Sequence, residues 1–250
     1  MSNIYSYFRR SGLRNIVGSM KRFVIREKFD YSQNLEYTKL KTIFDEIPVK
    51  IVLDIGAHDG KTYSNSFPLV NRGWRGYLVE PNPENCKRIA ENCEGLDIEI
   101  VSAAVTPEES GPIALYFDKV TNSNLRASIK APNEDDWSLE NLTSEHIIVQ
   151  SMTIDDIANK YRLPSDIGLL TIDIEGLDTD VIQKMTILRP YVIIIEIDFS
   201  SLERAKKRTE YLLSIDYIQC FRVGCNEVYL NASYSFFERM EIKKFIENNF

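Results

Sequence analysis

At 250 residues the chain is long enough for one large domain, or one domain with an extension. Hydrophobic residues make up 44%, ample for a full core, and the charged fraction of 27% is near the globular average. The net charge of −7 argues against a polyanionic substrate held by broad electrostatics, nucleic acid included.

The acidity is uneven. Residues 1–30 hold seven basic and two acidic side chains, a local charge of +5, so the remainder carries −12. Leu13, Ile16, Val17, Met20, Phe23 and Val24 recur there at helical spacing between arginines and lysines. That pattern predicts a basic amphipathic helix, weakened by Gly12 and Gly18. Such a helix docks on an anionic membrane surface, or it folds onto the domain or onto a second subunit of a homo-oligomer, the plainer reading. Cys86, Cys93, Cys220 and Cys225 form no Cys-x-x-Cys pair and read as reduced thiols of a cytoplasmic protein. No apolar run is long enough to span a bilayer, and the N-terminus lacks the uninterrupted apolar core of a signal peptide.

A helix carrying Leu40, Ile43, Phe44 and Ile47 on one face stops at Pro48. It ends an N-terminal helical extension over 1–48; the main domain is expected over 49–231 and a helical tail over 232–250. The domain opens with residues 51–60, Ile-Val-Leu-Asp-Ile-Gly-Ala-His-Asp-Gly. A short apolar run ending at Asp54 predicts a strand buried on both faces. Gly56 and Gly60 punctuate the turn after it, and residues 61–70 can form a helix. Glycine lets backbone approach a ligand closely. The spacing Asp-x-Gly-x-x-x-Gly is not the Gly-x-Gly-x-x-Gly of a dinucleotide site. A glycine loop beside an acidic residue suits a ligand bearing an ammonium and a sulfonium, which is S-adenosylmethionine.

Residues 75–80 read as the next strand, closed by Pro81, then a helix over 84–93 with Cys86, Ile89, Ala90 and Cys93 as its apolar stripe. A third strand follows over 97–105. Strand–helix–strand–helix–strand implies a parallel sheet, with ligands bound outside the carboxyl ends of the strands beside the first. Glu80 then sits where a carboxylate accepts ribose hydroxyls, and Ser102, Ala103 and Ala104 are small enough to admit an adenine. Residues 106–152 interrupt the alternation with strands at 113–117 and 146–150 around a polar segment, 119–145, read as a lid over the acceptor. His146 is expected to face outward. Beyond it come a helix capped by Thr153 or Asp155, a buried strand over 167–173, and a helix bearing Leu177, Val181, Met185 and Leu188. The most apolar strand follows over 191–197. A helix over 200–213 has Ser200 and Glu203 spaced as a capping box. Residues 217–223 and 227–231 read as a closing antiparallel hairpin.

Asp54-Ile-Gly-Ala-His-Asp-Gly60, Glu80-Pro-Asn-Pro, Thr153-Ile-Asp-Asp-Ile157, Ile172-Asp-Ile-Glu-Gly176 and Ile195-Glu196 occur in that order over roughly residues 51–200. Together they resemble the FkbM-like class I methyltransferases. The resemblance implies a Rossmann-like α/β fold, a mostly parallel seven-stranded sheet ending in an antiparallel hairpin. It also implies S-adenosylmethionine as methyl donor and O-methylation of a sugar or related hydroxyl. By position, Gly56, His58 and Gly60 would line the methionine part of the donor with Asp54 and Asp173 beside them. Glu80, with Asn82 after it, would hold the ribose and Ala103 the adenine. Leu177-Asp178 departs from the Ala-Glu pair common after the last glycine, and residues 119–145 match no part of the family.

Methyl transfer needs alignment of sulfonium and oxygen, and a base for a weakly acidic hydroxyl. Asp173, Glu175 and Glu196 are the catalytic candidates, because Asp173 and Glu196 end two strands expected to be neighbours. Such a cluster either raises one carboxylate to act as base or, through Asp173, Glu196 and Asp198, holds Mg²⁺ or Ca²⁺. His58 is expected to orient the loop by a hydrogen bond. The alternatives are an NAD-dependent oxidoreductase, which would want a third glycine, and a non-catalytic module of the same fold that binds a partner. If residues 1–30 are a membrane anchor, their deletion abolishes binding to anionic liposomes at low salt; a full-length chain that ignores such liposomes ends that reading.

Overall fold

The structure, a computed structural model, describes residues 30–108, 110–118, 127–129, 131, 142–174, 176–197 and 201–234. The basic stretch before residue 30, most of the polar segment expected as a lid, and the tail from 235 lie outside the described residues.

Helix α1 (Glu36–Glu46) leads into β1 (Ile51–Ile55), the short α2 (Phe67–Val70), β2 (Arg75–Val79), α3 (Pro83–Asn92) and β3 (Ile98–Val101). After β4 (Ala104–Val105), β5 (Pro112–Asp118), β6 (Ala127–Ser128) and β7 (Leu142–Met152) come α4 (Ile154–Tyr161) and β8 (Leu169–Ile172). The chain continues through α5 (Asp178–Lys184), β9 (Val192–Glu196), α6 (Leu202–Ser214), β10 (Tyr217–Val223) and β11 (Asn226–Asn231). Seven strands form one sheet in the order β10-β11-β9-β8-β1-β2-β3. Its strands from β9 to β3 are parallel, and β11 runs antiparallel between β9 and β10. This is the Rossmann-like sheet with a closing hairpin expected from the sequence.

Period-two alternation sorts the strand residues into two cores. Val52, Leu169, Val192 and Ile194 face the side covered by α1, α2 and α3, where Leu40, Ile43, Phe44, Leu69 and Ile89 are buried. Leu53, Leu170, Ile193 and Ile195 face α4, α5 and α6 through Ile157, Val181, Ile182 and Leu212. Helices on both faces explain why β8 and β9 are apolar at nearly every position. β4, β7, β5 and β6 form a separate four-stranded sheet with a small core of Ala104, Leu115 and Val149. His146 lies exposed on it, 5.2 Å from the Tyr116 ring.

Several boundaries differ from expectation, some of them because side chains capture backbone groups. The helix expected over 61–70 shrinks to α2. Asp59 Oδ1 accepts from the Lys61 and Thr62 N–H groups, and Ser64 Oγ accepts from those of Ser66 and Phe67. β3 stops at Val101, and Ala104–Val105 pairs with β7 instead. α5 ends at Lys184 because the Asp155 carboxylate takes the Thr186 and Ile187 N–H groups. The cap of α6 is Ser201, whose Oγ accepts from Arg204 N, rather than Ser200. Thr153 caps α4 in a reciprocal box with Asp156. On α3 the buried stripe is Asn85, Ile89 and Cys93, with Ala90 exposed. All four cysteines are free thiols.

One buried ion pair locks α6 to the far side of the sheet. Arg208 and Glu227 are both fully buried. Arg208 Nη2 donates to Glu227 Oε2 at 2.7 Å, Arg208 Nη1 to the Glu196 carbonyl at 2.7 Å, and the Tyr229 hydroxyl to Glu227 Oε2 at 2.6 Å. Burial pushes the Glu227 carboxyl up, but the bonds from Tyr229 and Arg208 outweigh it and hold the group below its usual range. We expect Arg208→Met to cost about 3 kcal/mol in urea unfolding, because it removes the buried cation and leaves the Glu227 carboxylate only the Tyr229 hydroxyl and the exposed Arg222, whose Nη2 lies 2.6 Å from Glu227 Oε1. Adding Glu227→Leu recovers most of that loss; a double variant as unstable as the single one refutes this account.

Candidate functional site

The carboxyl ends of β1, β2 and β8 open into a cleft, bounded on the β3 side by Ala103, Ala104 and Val105 and on the far side by Asp173, Asn226 and Gln33. Its floor is the turn after β1. Gly56 has φ +87°, and a Cβ there would stand 1.9 Å from the Asp173 carbonyl oxygen, so only glycine fits. Gly56 and Ala57 donate their N–H groups to the Val79 carbonyl at 3.0 and 3.1 Å, tying the turn to the tip of β2.

Asp54 is 6% exposed and points to the α1–α3 side. Its Oδ2 accepts from Ser66 Oγ at 2.5 Å. Burial raises its pKa to about 6, partly offset by that bond. Glu80, also 6% exposed, follows β2. Its Oε2 accepts from His58 N at 2.9 Å, and its Oε1 from Asn82 N at 2.9 Å and Asn85 Nδ2 at 3.4 Å. Burial outweighs these three bonds and lifts the Glu80 pKa to about 7.

His58 sits in left-handed backbone at φ +51°. It ties the loop to Glu80 through its backbone N–H, not its ring. Nδ1 lies 3.7 Å from Asp59 Oδ1, and the buried Nε2 has no hydrogen-bond partner among the described residues. Burial lowers the ring's pKa, so it is neutral at pH 7. Gly60 and Asn82 are absent from the cleft lining. Gly60 packs against Ile89 and Cys93, and Asn82 caps α3 by accepting from Glu84 N at 3.0 Å.

Of the proposed catalytic carboxylates, Asp173 lines the cleft; Glu196 ends β9 outside the lining. Glu175 and Asp198 lie outside the described residues. The register Ile172↔Ile195 makes Asp173 and Glu196 the next rung of adjacent strands. A buried carboxylate shapes the loop between them: Asp178 accepts from Ile174 N at 3.1 Å and Gly176 N at 3.2 Å, while Arg204 Nη2 donates to the Gly176 carbonyl at 2.6 Å. Among the described residues no group of three or more His, Cys, Asp or Glu side chains could hold a metal ion, so the expected Asp173–Glu196–Asp198 site is not supported.

Sequence reading missed Gln33, Asn85 and Asn226. Asn85 had a signal, since it shares a helical face with Ile89; Gln33 and Asn226 had none, being brought in across 190 residues by the Asn226 Nδ2–Glu36 Oε1 bond at 2.7 Å.

Over residues 54–236 the sequence matches the family model described as the methyltransferase FkbM domain. The chain belongs to that family. It is an S-adenosylmethionine-dependent methyltransferase, which replaces the dinucleotide and non-catalytic readings. A search of curated proteins finds no match. Among solved structures, a precorrin-6y C5,15-methyltransferase from Geobacter metallireducens is 13% identical, with a TM-score of 0.40 over 82% of this chain and 92% of its own. An RNA methyltransferase candidate from Pyrococcus horikoshii is 10% identical, with a TM-score of 0.40 over 79% of this chain and 82% of its own.

The FkbM cleft fits its donor in charge. No Lys or Arg lines it among the described residues, while Asp54, Glu80 and Asp173 do, which suits a ligand carrying a sulfonium and an ammonium.

The raised Glu80 pKa has a signed consequence for stability. Below pH 4.5 the carboxyl is protonated in folded and unfolded chains alike. Between 4.5 and about 7 the unfolded chain loses its proton first, so the fold loses roughly 3 kcal/mol as pH rises. Urea unfolding from pH 4.5 to 8 should show this decline in the wild type and a smaller one in Glu80→Gln, where the buried Asp54 carboxyl, raised to about 6, still contributes below that pH; parallel curves would refute the burial account.

Proposed function

We propose that this FkbM methyltransferase methylates a hydroxyl of a sugar, glycan or related small molecule, with a carboxylate as the base. The placement of Asp173 and Glu196 at the ends of adjacent strands, with Asp173 in the cleft lining, carries this reading. The Cys225 thiol senses both: burial, then the charge of Glu196 and, more weakly, that of Asp173, pushes it up to about 11. A hydroxyl seated between the carboxylates would give its proton to one of them as its oxygen attacks the methyl carbon.

When bound, S-adenosylmethionine supplies a methyl group on a sulfonium, whose carbon–sulfur bond breaks with its electron pair left on sulfur. The chain's part is alignment, which can supply ~7–11 kcal/mol of the barrier, and proton removal, worth roughly 10²–10⁴ in rate. In this reading Glu80 holds the ribose hydroxyls and Ala103 borders the adenine. Asp54 and Asp173 face the methionine ammonium over the Gly56–His58–Gly60 turn, and Glu196 is the base, with Glu175 as a further catalytic group. The insertion at about 106–152 closes over the acceptor. The acidic chain suits a neutral acceptor better than a nucleic acid. Among the described residues no helix is long and apolar enough to cross a membrane. A cytoplasmic setting agrees with the four free thiols, and the basic residues before 30 supply contact with a membrane surface or a second subunit.

Labelled donor offered with a panel of nucleotide sugars and oligosaccharides identifies the acceptor. On that acceptor, Glu196→Gln should lower turnover at least about a hundredfold while S-adenosylhomocysteine affinity stays near wild type, and EDTA should leave wild-type turnover unchanged. Equal losses of turnover and affinity would make Glu196 a structural residue.

A further inference from the structure

The methionine tail of the donor is a zwitterion, and an acidic cleft answers half of it. Asp54 and Asp173 offer oxygens to the ammonium, but with no Lys or Arg in the lining among the described residues, the donors there for the tail's carboxylate are neutral. Most side-chain donors on that wall are engaged. Asn65 Nδ2 donates to Thr171 Oγ1 at 3.3 Å, Asn226 Nδ2 to Glu36 Oε1, and Thr62 Oγ1 to Asp59 Oδ2 at 2.7 Å. Ser66 Oγ gives its hydrogen to Asp54, so in the 3.1 Å Ser64–Ser66 contact Ser64 is the donor.

Gln33 differs. Its Oε1 accepts from Cys225 Sγ at 2.7 Å. The raised thiol pKa keeps Cys225 protonated at neutral pH, which makes it the donor and fixes the carboxamide oxygen as the atom facing it. The carboxamide NH₂ is thereby turned from Cys225, and no described residue accepts from it. The segment that carries it is anchored. Glu36, fully buried, accepts from Asn34 N at 2.7 Å as well as from Asn226, and Asn34 lies so close to Gly224 that a Cβ there would come within 2.1 Å of its Oδ1. Gln33, Asn34 and Glu36 precede the family-matched span, which starts at residue 54; Gly224, Cys225 and Asn226 lie within it.

We propose that Gln33 donates from its carboxamide NH₂ to the carboxylate of the donor's methionine tail, with Cys225 as the positioning residue that holds the carboxamide in that orientation. The inference rests on S-adenosylmethionine being the donor, and a tail-less ligand separates the two claims. 5′-Methylthioadenosine keeps the nucleoside and lacks the amino-acid tail.

Calorimetry on the full chain should show Gln33→Ala weakening S-adenosylhomocysteine on the order of tenfold and leaving 5′-methylthioadenosine unchanged. Gln33→Lys restores the first affinity, again without touching the second. Cys225→Ala causes a smaller loss confined to the tailed ligand, and Cys225→Ser, which keeps a donor, reverses it. Equal weakening of both ligands by Gln33→Ala overturns the proposal, as does unchanged S-adenosylhomocysteine binding, whether or not acceptor KM moves. Wild-type protein that binds neither ligand refutes the donor reading itself, and this inference with it.

Discussion

The tips of β1 and β8 meet backbone to backbone, and the site depends on that approach. At Gly56 the chain turns with φ +87° against the Asp173 carbonyl, while the same turn's N–H groups reach the Val79 carbonyl at the tip of β2. Three neighbouring strand ends are thus held at fixed spacing by contacts that any side chain at Gly56 would prevent. The cleft is the space left above them. Asp54, Glu80 and Asp173 come from three different strand ends and line one cavity because the sheet places β2, β1 and β8 side by side.

Carboxylates do two kinds of work in this fold, told apart by whether they line the cleft. Glu36, Asp178 and Glu227 are buried and take hydrogen bonds from groups that hold chain segments in place: Asn34 and Asn226, Ile174 and Gly176, and Arg208 and Tyr229 respectively. Burial raises the carboxyls of Asp54, Glu80 and Asp178 alike, to about 6 at Asp54 and about 7 at Glu80, but of these three only Asp54 and Glu80 line the cleft. Groups kept short of full stabilisation, facing a cavity, favour a cationic ligand that would complete it. A dinucleotide would place phosphates among these carboxylates, so the same arrangement works against it.

Periodicity in the sequence carried the architecture. The strand residues at 51–55, 169–172 and 192–196 are apolar at nearly every position, as a doubly covered parallel sheet requires, and the helices between the strands bury apolar faces against it. Boundaries read less well where a side chain competes with the backbone ladder. Asp59 and Ser64 erased two turns of the expected helix, and Asp155 shortened another. Nothing in local propensity anticipates these, because the competing acceptor is effective only once its own backbone is set.

The sequence by itself determined the sheet, the place of the donor cleft and the acidic residues at its strand ends, since these follow from hydrophobic period and from turn residues next to one another in the chain. Only the tertiary structure decided which polar groups share the cavity. Gln33, Cys225 and Asn226 meet there because a buried Glu36 joins an N-terminal segment to a C-terminal hairpin. Contacts across such a separation leave no periodic trace in a linear chain.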